Sequence, residues 1–199
     1  MKIIFICLLA YMIGTLSGSY YIGNKFLNTD IRNHGSGNAG TTNAMRVLGK
    51  KWGVITFIID FIKGSLVTVL AKYIFKLDDF LTLVVILSCI IGHDFPFYMK
   101  FKGGKGVATT MGALAVLNFK LTFIAWAIWM IVAIFSKMAS LASIAFFVAF
   151  AILFTISGKY ELNSLLMIYS MAILGIVRHK ANIKRILNGS ENKLGKVSK

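Results

Sequence analysis

Two stretches of the chain carry the residue types that could hold an anion. Residues 32–46, RNHGSGNAGTTNAMR, string together small residues whose backbone N–H groups can converge on a common concavity, with Ser36, Asn38, Thr41, Thr42 and Asn43 as added side-chain donors. Arg46 closes this stretch with a guanidinium, which grips phosphate or carboxylate through two parallel N–H bonds. Residues 92–106, GHDFPFYMKFKGGKG, end in Gly103, Gly104, Lys105 and Gly106 just ahead of an apolar run. A glycine turn at a helix start offers N–H groups without intrahelical acceptors and the positive end of the helix dipole, and Lys105 adds a point charge. It is not a Walker A loop, which needs G-x-x-x-x-G-K-[ST] after a strand; here Gly106 follows Lys105, so nucleotide binding is not expected. The plainer readings are a polar linker for the first stretch and an interfacial turn with snorkelling lysines for the second.

Three further constellations could contribute. In IVRHKANIKRIL, His179 and Asn182 are three residues apart and project from one side of a helix, while Ile183, Ile186 and Leu187 suit a bilayer surface. His179 could bond a phosphate, orient a hydroxyl or exchange protons near neutral pH. Ser140 and Ser143 lie one turn apart; alone they would be small packing residues between membrane helices. Asp60 and Lys63 sit three apart near the middle of an apolar run, where ionisable residues are functional suspects, yet mutual neutralisation explains them as a structural pair. No Ser-His-Asp order with an elbow motif, no carboxylate pair in a polar loop and no metal-ligand spacing occurs, so neither metal nor cofactor is expected. A catalytic base would have to be His93, His179, a lone carboxylate (Asp30, Asp94 or Glu191) or the substrate itself.

These groups must be positioned by an unusually oily chain. Hydrophobic residues make up 57% of the 199, mean hydropathy is +0.77, and there is one proline, Pro96. That exceeds the apolar share of soluble domains, about 45–50%, and the reading is an all-α polytopic membrane protein forming one domain over 1–199. Apolar runs at 3–22, 53–75, 80–99, 119–136, 138–157 and 160–177 approach the length needed to cross a bilayer, and a short one, 107–118, is a seventh. The first is read as a retained span because a signal peptide's cleavage site is missing. Cys7 and Cys89 fall inside apolar runs as packing residues.

The net charge of +15 would suggest nucleic acid in a soluble protein, but the cations fall between apolar runs, where lipid head groups explain them. With seven spans and the amino end outside, the inner side holds Lys25, Arg32, Arg46, Lys50 and Lys51, then Lys100, Lys102 and Lys105, then Lys137, and finally Arg178, Lys180, Lys184, Arg185, Lys193, Lys196 and Lys199. The outer side keeps Lys2, Lys72, Lys76, Lys120 and Lys159. Dropping the short span would put Lys137 and the basic tail outside, against the positive-inside rule. Both glycine-rich stretches, all three histidines and the serine pair then face the cytoplasm, and folding is expected to unite them at that face.

The phrases DIRNHGSGNAGTTNAMR, GHDFPFYMKFKGGKGVATTMG and IVRHKANIKRILNGSE closely resemble the signature segments of the bacterial acyl-phosphate:glycerol-3-phosphate acyltransferases, in matching order and spacing across the whole chain. The resemblance implies a multi-pass plasma-membrane enzyme, active at the cytoplasmic face, that moves a fatty acyl group from acyl phosphate to the 1-hydroxyl of glycerol 3-phosphate. The products would be lysophosphatidic acid and inorganic phosphate, in the first acylation of phospholipid synthesis. It implies Ser36, Gly37, Asn38 and Arg46 as essential groups, Gly103, Gly104 and Lys105 as the core of a glycerol 3-phosphate loop, and functional weight for His179 and Asn182. Glu191 is implied as a structural acid, and Ser140 and Ser143 as inner-loop serines, Ser143 being the preferred ligand. Asp94 departs from the family's pattern, which has a neutral residue there. The chain is expected to act as a monomer among membrane lipids, without nucleic acid or nucleotide. An anion or lipid-phosphate transporter is the alternative; such proteins usually show repeats and a site at the bilayer midplane, and no clear repeat is visible here.

Overall fold

The computed structural model describes residues 1–194; Lys196 and Lys199, counted above among the inner cations, lie outside them. Two compact units follow one another along the chain, Met1–Leu117 and Asn118–Lys199. The described residues form helices and turns without strands.

The first unit holds α1 (Lys2–Thr15), α2 (Gly18–Leu27), α3 (Thr41–Val47), α4 (Lys50–Val69, continued by a π turn at Leu70–Ile74), α5 (Asp79–Asp94) and α6 (Val107–Leu117). Short 3-10 turns occupy Ile31–Asn33 and Phe97–Met99. Glycines let these helices meet backbone to backbone. A Cβ on Gly14 of α1 would strike the carbonyl of Cys89, and one on Gly92 of α5 would strike that of Tyr11. The same reciprocity joins α4 and α6, where Gly64 faces the Thr109 carbonyl and Gly112 that of Phe61. Small residues at such seams allow the close van der Waals packing on which membrane helices depend.

In the second unit are α7 (Phe119–Ser136), α8 (Ala139–Ile156), α9 (Leu162–Arg178) and α10 (Lys180–Leu187). Its core is aromatic. Phe146, Phe147, Phe150 and Phe154 run along one side of α8 with neighbouring ring centroids 5.3–6.5 Å apart, and Ile168 and Met171 of α9 are equally buried. Gly175 leaves room on α9 for the Phe147 ring.

Lys50–Ile74, Asp79–Met99, Phe119–Ser136 and Ala139–Ile156 are long and apolar enough to cross a membrane, or six spans if each bent pair counts as one. These four helices coincide with the spans expected at 53–75, 80–99, 119–136 and 138–157, and the architecture is that of an integral membrane protein. The run at 3–22 is interrupted: α1 and the following Gly18–Phe26 meet at 43°. At this break the carbonyl of Thr15 accepts the Tyr98 hydroxyl at 2.5 Å and that of Leu16 accepts Lys63 Nζ at 2.6 Å. Backbone groups released by a helix end inside an apolar protein need such partners. The run at 160–177 is α9, which turns by 56° into α10. The eleven residues of α6 rise only about 16 Å, roughly half of a ~30 Å hydrocarbon core.

Candidate active site

The two glycine-rich stretches meet inside the first unit. Asp30 starts the Ile31–Asn33 turn by accepting the Arg32 amide at 2.9 Å, and its carboxylate also takes the Arg32 guanidinium at 2.6 Å from Nη2. Those hydrogen bonds from Arg32, with its charge, hold the Asp30 carboxyl below its ordinary value although burial opposes them. Arg32 Nη1 then donates to the carbonyl of Met99 at 2.6 Å, linking the first stretch to the second. Under this link Ile31, Ala39, Ala44 and Met99 pack into one cluster, each fully buried.

Asn43 shapes the loop from within. It is 1% exposed, its Nδ2 donates to the carbonyls of Ile31 and His34 at 3.1 and 3.0 Å, and its Oδ1 accepts the Ser36 amide at 2.8 Å. The expectation that Asn43 adds a donor for an anion is therefore corrected: its amide is committed to the loop's own backbone. Gly37, at φ +70°, donates its N–H to the His34 carbonyl at 3.1 Å, so the amides of Ser36 and Gly37 serve the loop as well. Ser36 and Gly37 are exposed at its tip, with Asn38 and Arg46 half-buried nearby in sequence.

A similar correction holds for the second stretch. Gly103 donates its N–H to the carbonyl of Asp94 and Gly104 to that of His93, both at 3.0 Å, which fastens the turn to the end of α5. What glycine supplies here is proximity. A Cβ on Gly103 would collide with the His93 carbonyl and Pro96, and one on Gly104 with the His93 imidazole. Lys105 follows, half-buried, with Gly106 between it and α6, whose first amides have no acceptor within the helix.

Behind His93 lies the pair Asp60 and Lys63, with side chains 2% and 4% exposed and a separation of 2.8 Å. Lys63 Nζ also approaches His93 Nδ1 at 2.8 Å. His93 is among the candidate bases that the sequence offers, and nothing in the sequence signals that it joins this buried group.

The second unit gathers its candidates around one acid. Glu191 Oε1 accepts Ser140 Oγ at 2.9 Å and Asn182 Nδ2 at 2.8 Å, while Oε2 accepts Arg185 Nε at 2.8 Å. Burial pushes the Glu191 carboxyl upward, but these three donors and the Arg185 charge outweigh it, and the group ends below its ordinary value. Ser143 donates to the Ala139 carbonyl at 2.7 Å and accepts the Trp129 indole N–H at 3.3 Å. Trp129 carried no signal in the sequence, since it is one aromatic among many in α7. His179 occupies the bend between α9 and α10, 3% exposed, beside the Phe147 ring at 6.0 Å. Its Nδ1 lies 2.7 Å from the Gly175 carbonyl, which can only accept, so Nδ1 carries the proton.

The candidates thus form two groups: Ser36, Gly37, Asn38, Arg46, Gly103, Gly104 and Lys105 in the first unit, and Ser140, Ser143, His179 and Asn182 in the second. Comparison with known proteins bears on what they do. Residues 4–189 match the family described as glycerol-3-phosphate acyltransferase. A glycerol-3-phosphate acyltransferase of Lactiplantibacillus plantarum is 40% identical over 194 residues, covering 96% of this chain and 92% of the relative. One from Aquifex aeolicus is 36% identical over 193 residues, covering 97% of this chain and all of the relative. Among solved structures, the glycerol 3-phosphate form of PlsY (YgiH), an integral membrane glycerol 3-phosphate acyltransferase, superposes with a TM-score of 0.91 at 34% identity, covering 98% of this chain and 96% of that one. The lysophosphatidic acid form of PlsY does so with a TM-score of 0.88 at 33% identity and the same coverage.

Proposed function

The chain belongs to the glycerol-3-phosphate acyltransferase family, and on that premise we propose that it transfers a fatty acyl group from acyl phosphate to the 1-hydroxyl of glycerol 3-phosphate. The observation that carries the proposal is similarity over 98% of the chain to a protein solved both in a glycerol 3-phosphate form and in a lysophosphatidic acid form, an acceptor and its acylated product. Acyl phosphate suits a chain that has no nucleotide loop but holds cations at two glycine-rich stretches, because both substrates then offer phosphate groups. We further propose that the whole chain acts as one acyltransferase domain and as a monomer. Its setting is the bacterial plasma membrane, with seven spans, the amino end outside and the reaction at the cytoplasmic face.

In the proposed step the 1-hydroxyl oxygen attacks the acyl carbonyl carbon, an ester C–O bond forms, and the anhydride C–O bond breaks to release inorganic phosphate. The hydroxyl proton goes to a phosphate oxygen of a substrate, which leaves no covalent acyl-enzyme. Arg46 and Lys105 neutralise phosphate charge with Ser36, Gly37, Asn38, Gly103 and Gly104 shaping their loops. In the second unit, His179 and Asn182 are the groups proposed to orient the acceptor and Ser140 and Ser143 its further polar groups, with Asn182 and Ser140 held by Glu191. Positioning and neutralisation of the leaving group suffice in kind for such an activated donor. The test is purified protein with glycerol 3-phosphate and palmitoyl phosphate, following phosphate release and lipid product, with acyl coenzyme A as a control donor. Phosphate release coupled to lysophosphatidic acid is expected; transfer from acyl coenzyme A alone, or a trapped acyl-serine, would overturn the reading.

A further inference from the structure

The group at Asp60, Lys63 and His93 is more ordered than neutralisation of one charge requires. An ammonium has three N–H donors. Lys63 Nζ hydrogen-bonds the Leu16 carbonyl at 2.6 Å and His93 Nδ1 at 2.8 Å, and forms an ion pair with Asp60 Oδ1 at 2.8 Å. Direct pairing of His93 with Asp60 is the longer contact, 3.5 Å between Nδ1 and Oδ1, so the ammonium mediates between them. Accepting from Lys63 requires a lone pair on Nδ1, and the neutral ring then carries its proton on Nε2. That nitrogen is the ring atom closest to the space a Cβ of Gly104 would fill. The His93 carbonyl meanwhile takes the Gly104 amide at 3.0 Å. His93 therefore holds Gly104 by its backbone and by its ring edge, one residue ahead of Lys105.

We propose that Asp60, Lys63 and His93 are positioning residues for the 103–105 turn, with Lys63 selecting the His93 tautomer and the His93 ring setting the placement of Lys105 for the phosphate of the acceptor. The assignment of that phosphate to Lys105 rests on the proposed function; the tautomer does not. The residues act through Gly104 and take no part in bond making, so their loss falls on acceptor affinity.

The experiment combines kinetics, binding and spectroscopy on the full chain in detergent. His93→Asn keeps an acceptor near Lys63 but removes the Nε2 edge, whereas His93→Gln keeps an N–H near the Nε2 position. His93→Asn is expected to raise KM for glycerol 3-phosphate about tenfold, with kcat and KM for palmitoyl phosphate nearly unchanged. Direct calorimetric binding of glycerol 3-phosphate should weaken by the same factor, and His93→Gln should recover most of the loss. If His93→Asn does not fold, the double variant Asp60→Leu with Lys63→Met, which leaves no unpaired charge, takes its place and should show the same rise in KM. An unchanged KM, or a fall in kcat alone, overturns the proposal. Independently of turnover, 15N-labelled histidine should show the His93 resonance, identified by its loss in His93→Asn, with Nδ1 unprotonated. An Nδ1–H ring overturns the relay even in an active enzyme, while a wild-type protein inactive on both substrates but with the expected ring condemns only the proposed function.

Discussion

In the first unit the polar framework is buried inside apolar helices and reaches the candidate loops through α4 and α5; in the second, one carboxylate beyond α10 collects its partners from α8 and α10. Lys63 sits 30 residues from His93 and 47 from Leu16 in sequence, and its two hydrogen bonds and its ion pair with Asp60 lie in a buried place, the Lys63 and Asp60 side chains being 4% and 2% exposed. Glu191 does comparable work on Ser140, Asn182 and Arg185, with its own side chain 5% exposed but the Arg185 side chain 33% exposed. The contrast teaches that the two groups should fail differently. Damage to the inner framework leaves a charge without a partner in a low-dielectric interior, whereas damage to the Glu191 clamp leaves the charged partner, Arg185, partly open to solvent and takes an acceptor only from the neutral, buried Ser140 and Asn182.

The largest expected effects are on the loops themselves. Lys105→Ala and Arg46→Ala should each lower turnover on the order of 10³-fold while helical content and thermal unfolding stay as in the wild type. Near-normal phosphate release from either variant would remove that residue from the reaction. Asp60→Asn comes next, because Lys63 keeps an acceptor but loses its counter-charge. It should cost about 3 kcal/mol of stability, read as a lower unfolding temperature, with the smaller effect per folded molecule falling on KM for glycerol 3-phosphate. Normal stability with no turnover would contradict that ranking.

Smaller effects belong to the second unit. Glu191→Ala should destabilise by about 2 kcal/mol and Ser140→Ala by about 1 kcal/mol, since Asn182 and Arg185 still hold the carboxylate in the latter. Equal losses would mean that the clamp works as an indivisible unit. Acid offers the finest test. The Glu191 carboxyl titrates below its ordinary 4.5 when folded, so its contribution is complete above that value and disappears as pH falls through the folded one. Unfolding temperatures of the wild type and Glu191→Gln should therefore differ near neutrality and converge at low pH; a gap that widens in acid would reverse the assigned sign.

Much of this was legible in the sequence because hydropathy acts locally. The four long apolar runs became four long helices, and the pair Asp60 and Lys63 followed from three-residue spacing alone. The residues in the glycine-rich stretches were identified, but their duties were not. Composition suggests free amides at Ser36, Gly37, Gly103 and Gly104, yet each donates to another part of the chain. Such partners depend on where α5 ends and how a loop closes, which no local pattern specifies. The same holds for His93 and Trp129, whose roles arise from contacts across 30 and 14 residues. The interruption at Leu16 was hidden because its apolar side chain says nothing about a carbonyl bonded to a lysine.

The reciprocal glycine pairs between α1 and α5 and between α4 and α6 have a mechanical consequence. Where main chains touch directly, no side chain lies between them to change rotamer and absorb a displacement. Each seam therefore moves as a rigid strut: a push felt at one helix is passed to its neighbour undiminished, and any yielding within the first unit is left to its turns.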